Sequence, residues 1–164
     1  MTEALNLRPA GAGDEPLLQA LFAEDKAAEL AAAGLGEAQL QALIEMQYRG
    51  RKMSYGERYP EAADSILMGE DGTPAGRLLV DRRLDCWRVV DIAVLAAHRG
   101  RGLGTRALKE CQRQAEAAGA GLALQVQRFN PALRLYERLG FQAAGQDAVA
   151  VEMRWSPAER GRVR

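Results

Sequence analysis

The amino-acid sequence predicts an α/β (α+β) fold with a mixed, mostly antiparallel central sheet and helices on both faces. Short strand-like runs joined by turn signals up to residue 95 predict the antiparallel part. A glycine-rich loop then links one strand to a helix and a further strand, and this β–loop–α–β order predicts a parallel pair. With 164 residues the chain has the length of one domain. We expect that domain over residues 1–155, followed by an Arg-rich, frayed tail over 156–164.

The first third of the chain is predicted to contain one strand and two helices. Residues 5–8 alternate between leucine and polar side chains, as in a short strand. Asp14 is a suitable N-cap for a first helix, which we expect to end at Gly34. A second apolar stripe with helical spacing predicts a helix over 37–48. The tyrosine- and arginine-rich segment 49–64 is predicted to be irregular.

The middle of the chain is predicted to form three consecutive antiparallel strands. Residues 65–69 and 75–81 are apolar runs on either side of an Asp-Gly-Thr-Pro turn, which predicts a hairpin. Residues 86–95 form the longest β-prone run in the chain, and the polar segment before it predicts a second turn.

The period of the apolar residues changes after the glycine-rich loop. The pattern predicts a helix over 102–118 and then a strand over 122–126. Asn130 is suited to cap a further helix, which we expect Gly140 to end. Alternating apolar residues up to Trp155 predict a closing hairpin.

Composition and charge argue against several classes of function. Lys plus Arg and Asp plus Glu each number 22, so no net charge attracts nucleic acid or an anionic membrane. One histidine, His98, and two cysteines are too few for a structural zinc site or a disulfide framework. No run is long and apolar enough to span a bilayer, and the first residues lack the pattern of a signal peptide. We therefore expect no metal, no nucleic-acid partner, no membrane association and a cytoplasmic location.

The glycine-rich loop has the features of an anion-binding site. Glycines allow backbone N–H groups to approach a ligand, and a helix N-terminus adds unpaired N–H donors and a positive dipole. Because the loop lies between a strand and a helix, we expect it to bind a pyrophosphate rather than to be a tight turn with solvated arginines. The residues expected to form this site are Arg99, Gly100, Arg101, Gly102, Leu103, Gly104 and Thr105.

Two kinds of pyrophosphate carrier fit a loop of this type. Residues 102–107 match the G-x-G-x-x-G/A fingerprint of dinucleotide-binding oxidoreductases. However, the strand before the loop is not the first of the chain, and the strand after it ends in Gln125-Val126-Gln127 without an acidic residue for a ribose. Too little chain follows to complete a doubly wound sheet. A dinucleotide-dependent oxidoreductase is therefore the more remote alternative.

Two motifs taken together resemble a known family. Arg99-x-x-Gly102-x-Gly104, after the strand Asp91-Ile92-Ala93-Val94, resembles the acetyl-CoA motif of the GNAT superfamily of N-acetyltransferases. The run from Asn130 to Phe141 is similar to a later helix of that superfamily, in which a tyrosine faces the sulfur of CoA. The predicted order of elements fits the same superfamily over roughly the whole chain. The resemblance implies the GNAT fold and acetyl-CoA as co-substrate.

The resemblance also implies how the donor is held. The loop would hold the pyrophosphate, and the pantetheine arm would pair with the backbone of Ile92, Ala93 and Val94 like an added strand. Asn130 would contact the pantetheine arm besides capping its helix. Tyr136 would protonate the departing thiolate, since a tyrosine is protonated at neutral pH. From its place on an apolar helix stripe alone, Tyr136 is also typical of a core residue.

The sequence defines the acceptor side less sharply. Asp91 is the carboxylate nearest to the loop and our candidate base, with a salt-bridged strand residue as the alternative. Gln47, Tyr48 and Tyr55 lie in the region that covers the acceptor in the family, although Gln47 also fits a core glutamine with hydrogen-bond partners. We expect direct acetyl transfer in a ternary complex to a primary amine, on a small molecule or a peptide. A CoA-binding sensor with little or no catalysis is the alternative, and a homodimer stays open.

Overall fold

The predicted alternation of strands and helices is present in the computed structural model, which describes residues 5–157. The Arg-rich tail predicted over 156–164 therefore lies, from residue 158 onward, outside the described residues. The strands are β1 (Leu7–Pro9), β2 (Ala63–Met68), β3 (Pro74–Asp81), β4 (Cys86–Val94), β5 (Gly121–Gln127), β6 (Gln142–Gln146) and β7 (Ala150–Trp155). The α-helices are α1 (Glu15–Leu30), α2 (Glu37–Arg58), α3 (Leu103–Ala118) and α4 (Ala132–Arg138).

The seven strands form one mixed sheet in the order β1-β2-β3-β4-β5-β7-β6. Neighbouring strands are antiparallel except β4 and β5. These two run parallel because α3 carries the chain back to the end of the sheet at which β4 begins. The predicted fold class, with its single β–loop–α–β unit, is confirmed.

Successive side chains of β3 point to opposite faces of the sheet, which lies between two packed layers. Leu78 and Val80 belong to the main core, which also contains the buried face of α3, including Leu108 and Cys111. Leu79 points to the other face, which α1 and α2 cover. Helices therefore lie on both faces, and the face beneath α1 and α2 contains a cavity.

The prediction for α2 was wrong at its C-terminal end, because the helix continues through residues 49–58. Gly50, Gly56 and the lack of aliphatic residues interrupt the apolar pattern there. The helix nevertheless presents one continuous face to the interior, formed by Tyr48, Arg51 and Tyr55 at spacings of three and four residues. A stripe of aromatic and charged residues replaces the expected aliphatic stripe.

Two helix termini follow the predicted chemistry with small differences. Asp14 precedes α1 as predicted, but its carboxylate binds the Arg8 guanidinium (2.7 and 2.8 Å) and accepts the N–H of Gly11 (2.8 Å) instead of capping the helix. Asn130 Oδ1 accepts the N–H of Ala132 at 2.9 Å, so it satisfies the first turn of α4. Gly140 follows the C-terminal end of α4 and, with φ of 94°, has the left-handed conformation that ends the helix.

Candidate active site

A β-bulge in β4 turns Asp91 toward the cavity. Val80 pairs with Val89 and Leu79 pairs with Asp91, so Val90 is the extra residue between the two pairs. In a regular strand Val89 and Asp91 would share a face. The bulge allows Val89 to pack in the core beside α3 while Asp91 lines the cavity beneath α1 and α2.

The second half of β4 has an open edge inside the sheet. β4 pairs with β5 only over Cys86–Arg88, whereas β5 continues along β7 to Gln127. The two parallel strands thus separate and leave a gap beside residues 89–94. Leu95 donates its N–H to the carbonyl of Ala75 at 2.8 Å, so by alternation Ile92 and Val94 direct their backbone groups into the gap. An extended chain with amide groups could pair with this edge.

The glycine-rich loop presents a group of unused N–H donors at the end of β4. Gly100 and Gly102 have φ values of 79° and 76°, a conformation that favours glycine. α3 begins directly afterwards, at Leu103. Within the described part of the chain, the backbone N–H groups of residues 100–105 have no hydrogen-bond acceptor. Donors at a helix N-terminus attract anions, so this loop suits a phosphate group.

A cavity of about 560 Å³ lies between α1, α2 and strands β2–β4. Its polar lining includes Tyr48, Arg51 and Tyr55 from α2 and Arg77 and Asp91 from the sheet. Because Asp91 lies on β4, this cavity is adjacent to the strand that borders the gap.

Asp91 is a largely buried carboxylate held between two guanidinium groups. Its side chain is 14% exposed, and its Oδ2 lies 2.9 Å from Arg51 Nη2 and 3.6 Å from Arg77 Nη1. Arg77 also makes two hydrogen bonds of 2.9 Å to Asp64. Burial raises the pKa of Asp91 above its usual range, and the two arginines offset part of that increase. Asp91 is therefore a salt-bridged carboxylate that also lines the cavity.

Arg51 is held by aromatic rings as well as by charge. Its guanidinium lies 5.2 Å from the ring centre of Phe22 and 4.9 Å from that of Tyr55. Its Nε donates to the Tyr55 hydroxyl at 2.7 Å. Stacking and hydrogen bonding together fix the guanidinium that orients Asp91.

Tyr136 projects from α4 with its ring in the core. It is 9% exposed, and its ring packs edge-to-face on Phe141 at 6.0 Å between centroids. Its hydroxyl has no hydrogen-bond partner among residues 5–157. Burial raises the pKa of Tyr136 to about 12, and the negative charges of Asp91 and Asp25 act in the same direction. Tyr136 is thus a protonated hydroxyl whose pKa the two carboxylates influence.

The three residues predicted for the acceptor region lie in different surroundings. Tyr55 and Tyr48 line the cavity, and the Tyr48 hydroxyl donates to Glu15 at 2.8 Å. Gln47 does not belong to the cavity lining. Its Oε1 is buried without a hydrogen-bond partner in the described part of the chain. Arg51 was not among the predicted site residues, although its helical spacing from Tyr48 and Tyr55 places it on the same helix face.

Two further observations concern metals and membranes. Across residues 5–157, His, Cys, Asp and Glu side chains form no group of three or more that suits a metal ion. None of the described helices has the length and apolar character needed to cross a bilayer.

Comparison with known proteins identifies the family. A model of the acetyltransferase (GNAT) family matches residues 29–141. Streptothricin acetyltransferase of Streptomyces lavendulae is 36% identical over 97 residues, which are 54% of this chain and 50% of that protein. The chain therefore spans about half the length of this curated relative.

Solved structures share the fold. The PaiA N-acetyltransferase of Thermoplasma acidophilum, solved in complex with coenzyme A, has a TM-score of 0.72 at 16% identity. The match covers 94% of this chain and 99% of that chain. Nourseothricin acetyltransferase has a TM-score of 0.53 at 29% identity, over 59% of this chain and 66% of that chain. Since the family model covers more than half of the sequence and the fold agrees over nearly all of it, the chain belongs to the acetyltransferase (GNAT) family.

Proposed function

We propose that the chain is an N-acetyltransferase that moves the acetyl group of acetyl-CoA directly to a primary amine. The observation that carries this proposal is the gap between β4 and β5. The unpaired N–H donors of residues 100–105 follow the C-terminal end of β4, which borders this gap. The cavity containing Asp91 adjoins the same strand. Donor and acceptor can therefore approach each other across β4.

The residues around the gap suit the chemical parts of CoA. The N–H groups of residues 100–105 would bind the pyrophosphate, and Ile92 and Val94 would pair with the amides of the pantetheine arm. Acetyl-CoA supplies an activated thioester when bound. The match to an N-acetyltransferase solved with coenzyme A supports CoA as the carrier.

Two side chains are proposed to move protons during the transfer. As the amine nitrogen bonds to the acetyl carbon and the carbon–sulfur bond breaks, an ammonium group loses two protons in total. Asp91 would accept one of them and pass it to solvent, since burial raises the pKa of its carboxyl group. Tyr136 would donate a hydrogen bond from its hydroxyl to the leaving sulfur, which takes up the second of these two protons. Thiol release and amide formation then balance with one proton released overall.

The first acceptor to test is streptothricin, because a relative that is 36% identical over half of this chain is a streptothricin acetyltransferase. A panel of streptothricin, a polyamine, an aminoglycoside and a peptide with a free N-terminus would be incubated with the protein and acetyl-CoA. We expect acceptor-dependent thiol release and, by mass spectrometry, one added acetyl group on at least one amine.

Two substitutions make this experiment specific. Asp91→Asn should lower turnover by roughly 10²-fold or more, the usual contribution of a positioned base. Asp147→Asn is the matched control, since Asp147 lies in the β6–β7 turn and binds only the N–H groups of Val149 and Ala150. CoA binding without acetylation of any amine in the panel would contradict the proposal and favour a CoA-binding sensor.

A further inference from the structure

The charged groups that line the cavity are paired with one another, except at one residue. The lining contains three cationic side chains and four carboxylates. Each cation lies close to a carboxylate of the same lining. These pairs are Arg51 with Asp91 at 2.9 Å, Arg77 with Asp64 at 2.9 Å, and Lys52 with Glu15 at 3.1 Å. The remaining carboxylate is Asp25, on α1.

Asp25 forms its ion pair with a residue outside the cavity lining, Arg99 of the glycine-rich loop. Its Oδ1 lies 3.0 Å from Nη2 of Arg99, and both side chains are about half exposed. The Nε of Arg99 donates to the carbonyl of Val94 at 2.9 Å, on the edge that borders the gap. One guanidinium therefore connects a carboxylate of the acceptor cavity with the strand and loop proposed for the donor.

Asp25 and Asp91 line the same cavity. The negative charge of Asp25 contributes to the raised pKa of Asp91 and to that of Tyr136. An ammonium group that approached the thioester between these two residues would pass within the field of Asp25.

We propose that Asp25 binds the ammonium group of the amine acceptor, and that Arg99 couples this binding to the pyrophosphate of the donor. This inference rests on the proposed function. A guanidinium forms strong, charge-assisted hydrogen bonds with phosphate oxygens, so the pyrophosphate competes with Asp25 for Arg99. When Arg99 turns to the phosphate, Asp25 becomes the one lining carboxylate without a cation, and the cavity attracts a positively charged amine.

Such competition has a thermodynamic consequence. Donor and acceptor strengthen each other's binding by the same factor, because both draw on the same ion pair. Exposed ion pairs have small coupling energies, so we expect a factor of about two to five. The acceptor would therefore bind more tightly after the donor.

The coupling can be tested with CoA alone, by calorimetry on the full chain. Asp25→Asn frees Arg99 and should tighten CoA binding about two- to five-fold. Glu29→Gln is the matched control, since it removes the same charge from α1 at a residue that does not contact Arg99. Glu29 pairs with Lys26 at 2.9 Å and does not line the cavity. In an Arg99→Gln background, the gain from Asp25→Asn should disappear.

The acceptor role is tested by steady-state kinetics with streptothricin as the probe amine. Asp25→Asn should raise the KM for streptothricin about tenfold and change kcat less than KM, because the acceptor contact is the main interaction lost. Equal CoA affinities in Asp25→Asn and Glu29→Gln, or a fall in kcat with unchanged KM, would overturn the inference while the proposed function stands. Failure of the wild-type chain to bind CoA would instead refute the proposed function.

Discussion

The role of Tyr136 leads to a prediction in which activity and stability should separate. Tyr136→Phe removes the hydroxyl and keeps the ring. The ring supplies the edge-to-face contact with Phe141 and the burial in the core, whereas the hydroxyl has no hydrogen-bond partner in the described chain. The substitution should therefore change the free energy of unfolding by less than about 0.5 kcal/mol. In a chain of this size, Tm would shift by no more than about 2 °C.

The expected loss of activity follows from the pKa of the hydroxyl. Burial raises the pKa of Tyr136 to about 12, whereas a thiol has a pKa near 8.5. Complete proton transfer from this hydroxyl to a thiolate is uphill by roughly 5 kcal/mol. The hydroxyl should therefore act mainly through a hydrogen bond to the developing thiolate. A hydrogen bond to a charged group contributes about 1.5–3 kcal/mol, so kcat should fall about 10- to 150-fold.

The same pKa predicts the pH dependence. Tyr136 stays protonated until the pH approaches about 12, so its ionisation contributes no alkaline limb below about pH 10. The pH profiles of wild type and Tyr136→Phe should have the same shape and differ only in height.

Single-turnover acetyl transfer, in which chemistry limits the rate, is the appropriate assay. Thermal unfolding and CoA affinity are measured on the same samples. An acetyl donor with a more acidic thiol should partly rescue Tyr136→Phe, because a weaker base needs less stabilisation. Unchanged single-turnover rates in Tyr136→Phe would remove the hydroxyl from the mechanism. A large loss of Tm would show that the hydroxyl has a structural role.

Two further substitutions probe the loop and α2. At Gly104 an added Cβ would meet only Val94 Cγ2, at 3.9 Å, so the Gly104→Val variant should fold normally. We expect it to bind CoA at least about tenfold more weakly, because the valine side chain occupies the approach to the N–H donors. Equal CoA affinity by calorimetry would contradict the assignment of the loop. Gln47→Met replaces a buried, unpartnered amide oxygen with an apolar group of similar shape, and should raise the free energy of unfolding by about 1 kcal/mol in urea titrations without changing the acceptor KM. A raised acceptor KM would instead indicate that Gln47 contacts the amine acceptor.

The parts of the candidate site that local sequence encodes were predictable. Gly100 and Gly102 adopt positive φ values that favour glycine, and a helix starts directly after them. The unpaired donors of the loop follow from these two facts, because the first N–H groups of a helix have no partner within it. Gly140 was likewise predictable, since the turn that ends α4 depends on neighbouring residues.

The continuation of α2 was not predictable from its apolar pattern. Residues 49–58 contain two glycines and no aliphatic stripe, so local propensity is weak. The helix is stabilised by contacts made across space, such as the salt bridge of Arg51 with Asp91 and the hydrogen bond of Tyr48 with Glu15. Tertiary contacts outweighed local preference here, as they commonly do at helix ends.

By itself, the sequence determined the order of the elements, the mixed sheet and the loop at the end of β4, because each depends on residues close together in the chain. Only the tertiary structure decided which face Asp91 occupies and which groups surround it. The bulge at Val90 arises from the register between β3 and β4, and the pairing of Asp25 with Arg99 joins residues from distant parts of the chain. Such pairings depend on how strands and helices pack. A one-residue shift in the register of β4 would place the side chain of Asp91 on the opposite face of the sheet.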